Sequence, residues 1–193
     1  CNLACGYCFA GDGSYGGKPA IMRAEVARRA VDCLLEASGP RRHVELDFFG
    51  GEPLLALDTV RAAVEYARRR GAETGKKVGF TLTTNAVLLT DEIIDYLLTN
   101  GFNVVLSVDG RPEVHDRFRP TRAGEGSYTL VIRRVLRFIE RWEAWDGPRG
   151  YYYIRGTFTR HNPDFANDFL HLVRLGARYV SLEPAVGRGD EGW

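Results

Sequence analysis

Three of the four cysteines fall within the first eight residues, as Cys1-Asn2-Leu3-Ala4-Cys5-Gly6-Tyr7-Cys8. The spacing is C-x3-C-x2-C. Thiolates are soft ligands, and several on one short loop select an iron–sulfur cluster or zinc. Three thiolates can hold three corners of a [4Fe–4S] cube and leave the fourth iron open. Structural zinc takes four protein ligands, and no fourth Cys or His lies near; His43 is the nearest histidine. Zinc and a metal-free group of redox thiols are the weaker readings, and both stay open on these residues alone. A disulfide framework fits poorly, because small secreted scaffolds spread their cysteines to close loops. A reducing cytoplasm suits this usage better. Cys33 stands apart: with Val26 and Ala30 it follows helical spacing, which predicts a core thiol.

Further stretches place polar or glycine residues where strands are predicted to end. Phe48-Phe49-Gly50-Gly51-Glu52-Pro53 follows one strand, and paired glycines let backbone approach a ligand closely. Thr83-Thr84-Asn85 closes a second. Ser107-Val108-Asp109-Gly110 closes a third and leads to His115-Asp116 and Arg119-Pro120.

Together these stretches resemble the radical S-adenosylmethionine (SAM) superfamily. The cysteine loop with an aromatic before its last Cys (Tyr7) is similar to that family's cluster loop, and the Gly50-Gly51-Glu52-Pro53 run to its GGEP motif. The resemblance implies that Cys1, Cys5 and Cys8 ligate a [4Fe–4S] cluster whose open iron chelates SAM. It implies contacts to SAM from the backbone near Tyr7, from Gly50, Gly51 and Glu52, and from Asn85, Ser107 and Asp109. Arg133 is similar in place to an arginine that pairs the SAM carboxylate. Thr84-Asn85-Ala86 departs from the family's TNG element by an alanine. The Ser107–Arg119 segment resembles the peptide- and protein-modifying branch, which includes anaerobic sulfatase maturases. Within it the chain looks most like the maturase of SCIFF (six-cysteine) peptides. That implies a thioether from a cysteine sulfur to an α-carbon of a ribosomally made, Cys-rich precursor peptide. It also implies an electron donor such as flavodoxin or ferredoxin. Formylglycine formation in a sulfatase is the alternative, and a zinc- or cluster-stabilised binding module without catalysis is a third.

Alternating helices and strands must position these residues. Helices are predicted over about 24–37, 57–73, 90–101, from Ser127 onward, and from Asn162-Pro163 to about Gly176. Strands are predicted over 44–49, 78–85, 104–109, 152–159 and 180–183. A helix between each pair implies parallel strands with right-handed crossovers. Each strand has an apolar face and a polar face, such as Val44, Leu46 and Phe48 against Glu45 and Asp47. Parallel strands normally read as continuous apolar runs. The alternation therefore predicts a curved sheet with helices outside and polar residues lining a lumen. The fold class is α/β, and the resemblance implies a partial (β/α)6 TIM-like barrel. Its first strand, an N-terminal peptide-recognition domain and a C-terminal SPASM region are expected outside these residues. The 193 residues then form one radical SAM core domain.

Composition excludes other classes. A net charge of +1 gives no bulk attraction to nucleic acid or an anionic membrane. No apolar run approaches the roughly 20 residues of a membrane span.

Overall fold

The computed structural model describes residues 1–11, 15–18 and 20–186. Five strands form one sheet: β1 (His43–Phe48), β2 (Lys77–Thr84), β3 (Asn103–Ser107), β4 (Tyr152–Phe158) and β5 (Val180–Pro184). All neighbours are parallel and follow chain order. Helix α1 (Ala24–Ala37) precedes β1. A 3-10 turn (Pro53–Ala56) and α2 (Leu57–Thr74) make the first crossover, and α3 (Asp91–Thr99) the second. Helices α4 (Pro112–Phe118) and α5 (Tyr128–Ala144) share the third, and α6 (Phe165–Arg174) makes the fourth. This is the α/β architecture with a parallel sheet that the alternation implied. No helix among the described residues is long and apolar enough to cross a membrane.

Register explains the two faces. Residues paired across parallel strands point to the same side. Leu46 pairs with Phe80, Phe48 with Leu82, Leu82 with Val104, and Leu106 with Ile154. This face packs on Val31, Leu35, Val64, Ile94, Leu97, Val131, Val135 and Phe138 of the helices. Each fully buried side chain of this size stabilises by roughly 1.5–3 kcal/mol. On the other face Asp47 pairs with Thr81, Ser107 with Arg155, Arg155 with Ser181, and Thr157 with Glu183. The predicted polar face therefore runs across the whole sheet.

Most boundaries agree with the sequence. Thr90 caps α3 by accepting from Ile93 N at 3.4 Å, and the chain leaves through Gly101 at φ 64°. Three expectations change. Cys33 is exposed, not a core thiol. Helix α1 buries Ala27, Val31 and Leu35, and Cys33 lies off that stripe. Helix α4 is not among the helices predicted from the sequence; its seven residues are too few to display an amphipathic repeat. Finally, α6 begins at Phe165 and not at Pro163. The Asn162 side chain accepts from Thr159 N at 2.8 Å and donates to Asp168 at 3.0 Å, so it closes a turn before the helix. Asp168 is buried and also accepts from Arg111 Nε at 2.7 Å, tying α6 to the start of α4.

Candidate active site

The C-terminal strand ends converge with the cysteine loop. After β1 the chain turns through Gly50 at φ 125°, a region side-chain-bearing residues rarely enter. Gly51 is needed for a different reason. A Cβ there would lie 3.0 Å from Cys1 N and 3.2 Å from Cys1 Cβ, so the strand end touches the first cysteine directly. Glu52 is buried and accepts from Leu54 N (3.1 Å), Thr84 Oγ1 (2.9 Å) and Asn85 N (2.8 Å). One carboxylate thus clamps the ends of β1 and β2 together. Burial pushes the Glu52 carboxyl up, opposed by the Asn85 and Leu54 N–H groups and the Thr84 hydroxyl. Asn85 Nδ2 donates to Asn2 Oδ1 at 2.7 Å and lies 3.8 Å from Cys1 Sγ. Ala86 takes the left-handed turn at φ 61° in place of the TNG glycine.

The segment after α4 cradles the cysteine loop. Leu3 bridges Thr121 in antiparallel fashion, Ala4 N donates to Pro120 O and Gly6 N to Phe118 O, both at 2.9 Å. Arg122 Nε donates to Cys1 O at 2.7 Å. Beneath this ribbon lies a charged cluster. The Asp109 carboxylate is fully buried; it accepts from the Tyr7 hydroxyl and from Thr157 N (3.0 Å), and pairs with Arg119 Nε at 3.0 Å. The Arg119 guanidinium stands 5.4 Å from the Tyr7 ring centroid. Burial pushes the Tyr7 hydroxyl well above its usual range; Arg119 opposes this and Asp109 adds to it. Burial also raises the Cys5 thiol, with Arg119 the largest opposing influence.

His115 supports the cluster from behind. Its Nδ1 accepts from Asp109 N at 3.4 Å, so the proton sits on Nε2. Nε2 is 3.0 Å from Ser127 Oγ, whose hydroxyl donates to Arg119 O at 2.6 Å. Burial pulls the His115 pKa down to about 3, and Arg119 acts in the same direction.

The strand ends and the cysteine loop enclose a cavity of about 540 Å³. Its wall includes Cys1, Cys5, Tyr7, Cys8, Gly50, Gly51, Glu52, Asn85 and Ser107. The volume falls in the ~300–1,000 Å³ range of small-molecule sites. Two residues named from the sequence are not on this wall. Asp109 lies behind it, its oxygens taken by Tyr7, Arg119 and Thr157 N. Arg133 is exposed on α5, because that position of the helix faces away from the stripe of Val131, Val135 and Phe138. Two arginines that the sequence did not single out as ligands do line the cavity: Arg119, and Arg155, which pairs with Glu183. Arg155 and Glu183 could be found from the polar strand faces. Arg119 needed the third dimension.

A family model described as the radical SAM superfamily matches residues 1–147. The chain belongs to the radical SAM superfamily. Over 193 residues it is 25% identical to the serine-type anaerobic sulfatase-maturating enzyme of Bacteroides thetaiotaomicron, covering 97% of this chain and 44% of that protein. Over 143 residues it is 35% identical to the cysteine-type anaerobic sulfatase-maturating enzyme of Clostridium perfringens, covering 72% of this chain and 38% of that one. Its fold matches the solved structure of native anSMEcpe with bound AdoMet and Kp18Cys peptide: TM-score 0.83, 24% identity, 100% of this chain and 52% of that one. The chain therefore spans about half or less of these proteins.

The radical SAM cofactors are a [4Fe–4S] cluster and SAM, and the donor set here fits both. Three thiols share one wall, and among the described residues no fourth Cys or His lines it. Among the described residues no three His, Cys, Asp or Glu side chains cluster closely enough to hold a single metal ion. Beside the thiols, Glu52 offers a carboxylate, and Asn85 and Ser107 offer amide and hydroxyl groups to a polar ligand.

Proposed function

We propose that this chain is the core of a radical SAM enzyme that modifies a peptide side chain. The supporting observation is that Cys1, Cys5, Cys8, Gly51, Glu52, Asn85 and Ser107 border one cavity. Cys1, Cys5 and Cys8 would hold the cluster, and Gly50, Gly51 and Glu52 would meet the amino-acid part of SAM. Glu52 serves an ammonium group well: it is a buried carboxylate, oriented by three donors and unable to swing away. Ser107, at the end of β3, would serve the ribose side, and Tyr7 is locked by Asp109 so that its backbone stays fixed. When bound, cluster and SAM together supply a 5′-deoxyadenosyl radical that can take a hydrogen atom from a substrate carbon. The protein's part is to orient the reactants and exclude water.

Two products are in view. Likeness to sulfatase-maturating enzymes favours oxidation of a Cys or Ser to formylglycine. The motif resemblance to the SCIFF maturase favours a thioether from cysteine to an α-carbon. Anaerobic reconstitution with iron and sulfide tests the shared reading. The protein should turn brown, and after reduction should release 5′-deoxyadenosine from SAM. Cys5→Ala should abolish both. A colourless protein holding one zinc would refute the reading. Mass spectrometry of a Cys-containing peptide then separates the products: a thioether loses two hydrogens and keeps its sulfur, whereas formylglycine made from cysteine loses the sulfur.

A further inference from the structure

Arg119 is a buried cation that the cluster and SAM roles above leave unassigned. It is 9% exposed and lies on the cavity wall, whereas its partner Asp109 lies wholly behind that wall. The two charges therefore form an oriented pair with the positive end toward the cysteine loop. The guanidinium also rests against the ring of Tyr7, whose hydroxyl bonds the same Asp109. Tyr7 sits between Cys5 and Cys8. The residues flanking Arg119 bind the loop through backbone: Phe118 O accepts from Gly6 N, and Pro120 O from Ala4 N. The strand pairing fixes Arg119 in register with Cys5. A lysine could supply the charge there, but not the flat face against Tyr7.

We propose that Arg119 is a positioning residue that fixes the Tyr7 segment of the cluster loop and, through its buried charge, raises the reduction potential of the cluster held by Cys1, Cys5 and Cys8. The physical reason is electrostatic. Reduction adds one negative charge to a cluster already carrying thiolates, and a buried cation attracts that charge through a lower dielectric than a hydrated one would. The electron comes from an external one-electron donor; dithionite serves as the probe. The inference rests on the cluster-binding reading, and the control keeps the two apart. If the wild-type protein binds no cluster, that reading fails before any variant is compared.

The test is an EPR-monitored redox titration with dithionite on reconstituted protein, comparing wild type, Arg119→Lys, Arg119→Gln and Asp109→Asn. Arg119→Gln should lower the potential, so that about tenfold less cluster is reduced at a fixed potential, equivalent to about 59 mV for one electron. Arg119→Lys should stay near the wild-type potential but broaden the EPR signal, because the Tyr7 contact is lost. Asp109→Asn should raise the potential, since it leaves the guanidinium uncompensated. A merely structural role would not give shifts of opposite sign. Arg119→Gln that loads iron normally and titrates at the wild-type potential overturns the proposal. So does a shift of Asp109→Asn in the same direction as Arg119→Gln. If Arg119→Gln fails to load iron, the sign of the Asp109→Asn shift decides.

Discussion

Lowering the pH should loosen the cysteine cradle through His115, by an amount that can be worked out. The folded chain needs this imidazole neutral: Nδ1 accepts from Asp109 N, and Nε2–H donates toward Ser127. A second proton would put a charge in a buried site, out of reach of water, and would face the Arg119 charge and the Asp109 N–H. Folded His115 therefore titrates at about 3, against an ordinary value of 6.5. Its neutral state contributes fully above about pH 6.5. Below that, the unfolded chain takes up a proton that the folded chain does not, and stability falls by about 1.4 kcal/mol per pH unit. Between pH 7 and pH 5 the loss from this residue is about 2 kcal/mol, a large part of a typical ~5–15 kcal/mol total. The assay is urea unfolding at both pH values for wild type and His115→Gln, whose amide does not titrate. Wild type should lose about 2 kcal/mol more than the variant on acidification. Equal losses, or a His115 resonance titrating near the ordinary histidine value by NMR, would show that the folded chain does not hold this imidazole neutral.

Three further outcomes follow from the site and core. Gly50→Ala should cost about 1–3 kcal/mol through its φ alone, since nothing stands within 4 Å of the new Cβ. Gly51→Ala should instead push on Cys1 and reduce iron content after reconstitution; equal iron loss in both variants would contradict these separate roles. Glu52→Gln turns an amide NH2 toward at least one existing N–H donor, which should cost about 1–3 kcal/mol. SAM binding measured by calorimetry should weaken about tenfold, the equivalent of 1.4 kcal/mol. Leu82→Ala, at a fully buried position in β2, should cost about 2–5 kcal/mol by denaturant titration yet leave SAM affinity of the folded protein unchanged.

Strong local signals made the frame legible in the sequence. Helical spacing in α2 and α5, the Thr90 cap and the period-2 strands each report on neighbours a few residues away. These features set element type and order, and a helix between strands leaves parallel pairing as the simple solution. Weak or short signals misled. Cys33 matched helical spacing with Val26 and Ala30, but the side of α1 that is buried depends on α2 and the sheet. Asn162-Pro163 has the composition of a helix start, yet the Asn162 amide found partners in Thr159 and Asp168 instead.

For the site, the donors are legible along the chain: three thiols at C-x3-C-x2-C, two glycines and a carboxylate at one strand end, and polar residues at the ends of others. Chemistry and spacing along the chain suffice for that. Which of these face the cavity depends on how the folded elements meet. Their meeting puts Asp109 behind the wall, leaves Arg133 exposed on α5, and brings Arg119 from more than a hundred residues away to the cysteine loop. The reason is that burial of a charge is a property of its surroundings. Arg119 is held inside because Asp109, the ring of Tyr7 and the backbone of residues 118–122 meet there, and that meeting exists only in the folded chain.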